Sequence, residues 1–194
     1  MPNNSIFDSS NRPLYGSSAN SYSQPGSEIP VQSGTSQQAG GYFTISASNS
    51  LSLGLLGGSV NSSIRFANPL GSGKTIYLGQ ILGYTNISLS LLSSFSAQVT
   101  VYSGGTIAAP TTGTPDNLNL GSGTTSAAAV TTSINAVTGG TSFILYPLEP
   151  GPFSFSVGGG VAVPPGQTLT VNIVGALTVL GLLGVGIEVI WWEI

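Results

Sequence analysis

Gly71-Ser72-Gly73-Lys74-Thr75 is the stretch of this chain that comes nearest to a known binding motif, the end of a phosphate-binding loop. The full motif needs a glycine five residues before the one preceding the lysine, and that position holds Asn68. It must also open a helix whose first N–H groups face the phosphates. Thr75-Ile76-Tyr77-Leu78 is instead β-branched and aromatic and reads as a strand, so nucleotide binding is not expected. Acid–base catalysis would have to draw on Asp8, Glu28, Asp116, Glu149, Glu188 and Glu193. Their spread along the chain defines no facing pair of the kind a glycosidase uses. Histidine and cysteine are absent, which removes the commonest general base, thiolate nucleophiles, disulfides and thiolate metal sites. Serine–lysine pairs around Lys74 carry no signal in so serine-rich a chain. Trp191-Trp192 could stack on sugars. In a strand, however, neighbours point to opposite faces, so one ring is expected in the core and Trp192 outside, as an interface residue. No enzyme activity, cofactor or metal is expected.

The elements that would position these residues follow from composition and pattern. Charged residues make up 5% of the 194, against about 25% in ordinary soluble domains. Scattered charge is what keeps a monomer from sticking to its neighbours, so a chain without it is expected to hide much of its surface against copies of itself. Arg12, Arg65 and Lys74 are its only cations, too few to neutralise phosphates, and no nucleic-acid partner is expected. Gly 28 and Pro 12 together are about a fifth of the residues, below the roughly 25–30% that marks low-complexity disorder. With 40% hydrophobic residues, the chain can build a core.

Two segments need a membrane or export check. Met1-Pro2-Asn3-Asn4-Ser5 lacks a basic start and an apolar stretch, so no secretory signal peptide is read there. The three Asn-X-Ser sequences at Asn3, Asn61 and Asn86 accordingly carry little weight as glycosylation acceptors. Leu169 to Ile187 is uncharged and long enough to span a bilayer. It alternates with period two at Thr168-Leu169-Thr170-Val171-Asn172-Ile173 and carries Gly175, Gly181, Gly184 and Gly186, so strands are expected and no membrane span.

Residues 1–40 are rich in Ser, Asn, Gln, Gly and Pro, with isolated apolar spots at Ile6, Phe7, Leu14, Tyr15, Tyr22, Ile29 and Val31. They read as an extended arm that docks on a neighbour through those spots. Residues 41–194 read as short strands between Gly/Pro turns. Strands are expected at 43–47, 60–67, 75–81, 87–92, 99–102, 153–157, 169–173 and 187–192, with Ser103 to Ser126 as a long exposed loop at one end. This is the pattern of an all-β, jelly-roll-like β-sandwich with an extended N-terminal arm. Leu53-Gly54-Leu55-Leu56-Gly57 recurs as Leu180-Gly181-Leu182-Leu183-Gly184. Leu55, Leu56, Leu182 and Leu183 are therefore interface candidates beside Trp192 and the arm residues.

The polar arm, the Phe66-Ala67-Asn68-Pro69-Leu70-Gly71-Ser72-Gly73-Lys74 turn, and Val163-Pro164-Pro165-Gly166-Gln167-Thr168-Leu169 leading into a late strand resemble, in layout, the subunits of bacterial endospore appendages and similar extracellular fibres. The resemblance implies a jelly roll whose N-terminal connector inserts into neighbouring subunits. It departs from the family at one point: those connectors cross-link through cysteines, and this chain has none. The expected function is a self-assembling filament subunit at the cell or spore surface or outside the cell, released without a signal peptide. Its partners are copies of itself. A virus or phage capsid, decoration or fibre protein is the alternative, with the virion as location. A glycan-binding β-sandwich is the third reading.

Overall fold

The computed structural model describes residues 41–89 and 93–194. Alternation of side chains builds the strands. In β1 (Tyr42–Leu53), Phe43 and Ile45 point into the core while Ser46, Ser48, Ser50 and Ser52 face out. The remaining strands are β2 (Gly58–Ala67), β3 (Ile76–Leu89), β4 (Phe95–Ser103), β5 (Thr106–Ile107), β6 (Thr111–Thr112), β7 (Asp116–Asn117), β8 (Ala129–Ser133), β9 (Val137–Thr138), β10 (Thr141–Leu148), β11 (Gly151–Val163), β12 (Thr168–Leu177) and β13 (Gly181–Glu193).

Two sheets pack as a sandwich, ordered β11-β3-β13-β1-β7 and β10-β4-β12-β2-β8-β6, and β5 pairs with β9 alongside. The long strands pair from the outside inward: β1 with β13, β2 with β12, β3 with β11 and β4 with β10, all antiparallel. Folding this nested ladder over itself adds the pairs β13·β3 and β12·β4. That order is consistent with a jelly roll. Ile64, Phe66, Ile81, Val99, Val171, Ile173, Val185, Val189 and Trp191 fill the space between the sheets. Each such buried side chain contributes about 1.5–3 kcal/mol relative to an exposed one.

Two expectations are revised. The strand expected at 75–81 and the described part of that expected at 87–92, residues 87–89, are one continuous strand, β3, through Gly83. A Cβ at Gly83 would collide with the carbonyl of Gly186 on β13, so this glycine marks close backbone approach and not a break. The segment from Ser103 to Ser126 is not a free loop. It supplies β5, β6 and β7, and the last two extend the sheets at their β8 and β1 margins.

The sandwich has unlike ends. At the tight end, short turns join β1 to β2 (residues 54–57), β10 to β11 (Glu149-Pro150) and β12 to β13 (residues 178–180). At the broad end lie residues 68–75, much of the 104–140 connection, residues 164–167, Gly41 and Ile194.

Candidate assembly surface

The tight end presents a group of exposed leucines. Leu55 and Leu56 stand at the tip of the β1–β2 turn, 80% and 96% exposed. Leu51, Leu180 and Leu182 are exposed beside them, held close by the pairing of Ser52 with Leu182 and Leu53 with Gly181. None of the residues in the β1–β2 and β12–β13 turns and their strand ends is charged, while the β10–β11 turn carries the exposed Glu149. Water-exposed leucines grouped in this way mark contact surfaces. The broad end carries its own exposed apolar residues, Leu70, Leu120 and Ile194. The β2–β3 turn that presents Leu70 is fixed by Asn68, whose side-chain amide donates to the carbonyls of Lys74 and Val163 at 2.8 Å each.

Leu183 and Trp192, expected at the surface, are buried at 0% and 2% exposure. Leu183 sits on the inner face of β13, within the core between the sheets. The two tryptophans do point to opposite faces: Trp191 packs on Phe43 and Phe66 in the core. Trp192 lies on the outer face, stacked between Tyr42 and Tyr77. It is covered because β11 shifts register between Ser156 and Val161 and lays Gly159 on the indole. Gly159 has φ +80°, and a Cβ there would lie 2.5 Å from the ring, so only glycine permits this lid. Burial also pushes the Tyr42 hydroxyl above its usual pKa. Ile6, Phe7, Leu14, Tyr15, Ile29 and Val31 lie outside the described residues.

The carboxylates are dispersed in role. Glu193 is buried at the broad end. It accepts from the Ser126 hydroxyl at 2.5 Å, the Ala127 amide at 2.9 Å and the Trp191 indole at 3.1 Å, with Lys74 at 3.9 Å. It thereby ties β13 to the long connection. Glu188 accepts from Thr44 at 2.7 Å on the outer face, where Asp116 is paired opposite Thr44. Glu188 borders a shallow depression of about 180 Å³ with Ser46, Tyr84 and Gly186. Glu149 caps the β10–β11 turn, where its carbonyl accepts from Thr85. Among the described residues, no cluster of three or more acidic side chains could hold a metal ion. Lys74 is followed by backbone pairing of Thr75 with Ile194 and then by β3, not by a helix. Among the described residues no helix is long and apolar enough to cross a membrane, and Leu169 to Ile187 belongs to β12 and β13.

The Glu193 network predicts an asymmetry. Glu193→Ala takes the acceptor from the buried Trp191 N–H and from the partly buried Ser126 hydroxyl and Ala127 amide, and with an unsatisfied buried donor costing about 1–3 kcal/mol it should lower stability by roughly 3 kcal/mol. Lys74→Ala removes a partly exposed partner and should cost less than about 1 kcal/mol. Urea unfolding of both variants checks this; equal losses would mean that the carboxylate's hydrogen bonds do not hold the broad end.

The class defined by these features is an all-β sandwich with exposed apolar residues at both ends. Comparison with protein-family models, with curated proteins and with solved structures returned no match.

Proposed function

We propose that this chain is a self-assembling structural subunit of an extracellular or cell-surface filament. Its sandwiches stack end to end, and the arm of residues 1–40 docks on a neighbouring subunit. The observation that carries this reading is the pair of unlike apolar patches: five exposed leucines at the tight end, with Leu70, Leu120 and Ile194 at the broad end. Burying either patch against water is favourable. Because the two patches differ, contact between one and the other is heterologous, and it repeats without closing unless the rotation returns to its start. The scarcity of charge supports the same reading, since little like-charge repulsion opposes close approach.

The purified full-length chain should form regular filaments or tubes in negative-stain electron microscopy. A monodisperse monomer at high concentration would refute the proposal. Closed particles would favour the capsid reading, in which the same contacts curve into a shell.

A further inference from the structure

β1 has one closed flank and one open one. It pairs with β13 from Tyr42 to Leu53. On its other side β7 covers only Phe43 and Thr44, and no other strand among the described residues pairs there. On this side the Leu118 amide donates to the Tyr42 carbonyl. Backbone groups alternate sides along an antiparallel strand. Ser46, Ser48, Ser50 and Ser52 therefore turn their N–H and C=O groups to the open flank.

Other long edges are guarded. β10 carries Pro147 and a register shift between Ser142 and Ile144, and β11 carries Pro152 and the shift that folds Gly159 over Trp192. Such devices keep an edge from pairing with another chain. From Ile45 to Leu53, β1 has no proline, glycine, charge or register shift.

Beside this edge the two sheets part. A cavity of about 350 Å³ opens between Ala47 and Ser48 of β1, Ser62 of β2, Thr111 of β6, and Thr132 and Ser133 of β8. The Ser62 hydroxyl is buried and has no hydrogen-bond partner among the described residues. A buried hydroxyl in that state is unfavourable until something bonds to it.

We infer that this flank accepts an extended segment of a second copy of the chain, drawn from the residues before Gly41, which pairs with Ser46 to Ser52 and closes the cavity. The inference rests on the end-to-end reading and names its joint. The Gly41 carbonyl accepts from Glu193 at the broad end. The preceding segment thus leaves at that end, and β7 already fills the first positions of its own open flank. The flank runs to Leu53, at the tight end. In a stack, the broad end of one copy faces the tight end of the next, so the departing segment meets the neighbour's flank directly.

The segment has suitable chemistry. Its charges are Asp8, Arg12 and Glu28 alone. Ile29 and Val31 share one face of an extended strand, the face that enters the cavity. Pro30 between them lacks an N–H, which an added edge strand tolerates where that group points away from its partner. From Val31 to Gly41 the chain reaches up to about 33 Å, against about 27 Å for the flank from Ile45 to Leu53. Strand addition of this kind takes affinity from main-chain hydrogen bonds and specificity from pockets for alternate side chains.

Since the chain has no cysteine, Val31→Cys and Ala47→Cys place the only thiols, both on the cavity face of their strands. Oxidised polymers of the full-length double variant should run as a ladder of disulfide-linked multimers on a non-reducing denaturing gel. An equimolar mixture of the two single variants should give dimers and nothing larger. A cross-link confined to monomers would overturn the inference in favour of pairing within one chain. Polymers visible by microscopy with no cross-link would overturn it and leave the end-to-end reading standing; a chain that never polymerises would remove both. Ser48→Pro supplies a second test, because the Ser48 N–H faces the open flank and its loss spares the β13 ladder. That variant should keep its melting temperature and lose polymers. Polymers of ordinary length from it would also overturn the inference.

Discussion

A chain carrying Leu55→Glu and Leu56→Glu is expected to stay monomeric where the parent chain polymerises. Both side chains project from the β1–β2 turn and are almost fully exposed. Their replacement should change subunit stability by no more than about 0.5 kcal/mol, as for surface positions generally. In the stack, each glutamate would have to be buried against Leu70, Leu120 and Ile194 at the broad end of a neighbour, and an unpaired buried charge is far more costly than an exposed one. Sedimentation velocity with a parallel thermal melt separates the two effects. Polymers that survive the double substitution would show that the tight end is not a contact. An unfolded variant would show that these leucines serve the fold.

The second large effect lies inside the subunit. Trp191→Ala should lower stability by about 3–5 kcal/mol, which in a chain of this size lowers the melting temperature by roughly 6–20 °C. Two losses combine. The indole fills the space between Phe43 and Phe66, and its N–H is one of three donors on the buried Glu193 carboxylate. Trp191→Phe separates them: it keeps most of the ring and discards the N–H. If the phenylalanine variant loses as much as the alanine variant, the hydrogen bond dominates. If neither moves the melt, the broad end of the core is less tightly packed than the geometry requires.

Alternation made most of the sandwich legible. Phe43-Thr44-Ile45, Val99-Thr100-Val101, Phe153-Ser154-Phe155 and Leu169-Thr170-Val171 all lie in strands. β10 escaped because Phe143-Ile144-Leu145-Tyr146 is a continuous apolar run with no period of two. The register shift between Ser142 and Ile144, and the edge position of β10, explain that pattern. Trp192 was misplaced for a different reason. Facing away from the sandwich core did not mean facing water, because a glycine-rich stretch far away in the chain covers the ring. Nothing local to Trp191-Trp192 encodes that cover. The open flank of β1 was equally illegible: four alternate serines look like an ordinary solvated face, and only the strand order shows that no strand among the described residues pairs with their main chain on that side.

The ladder between β1 and β13 also bears on how a subunit carries load. Gly41 and Ile194 lie at the same end, flanking strands joined by twelve residue pairs. Pulling those two points apart opens the ladder like a zip, with one pair strained at a time. Pulling Gly41 against the opposite end of the sandwich drags β1 lengthwise past β13. The inter-strand hydrogen bonds lie across that direction, so they resist together. Tension along a stack linked through residues before Gly41 arrives in this second geometry. The same strand pair is therefore weak as a hinge and strong as a tie.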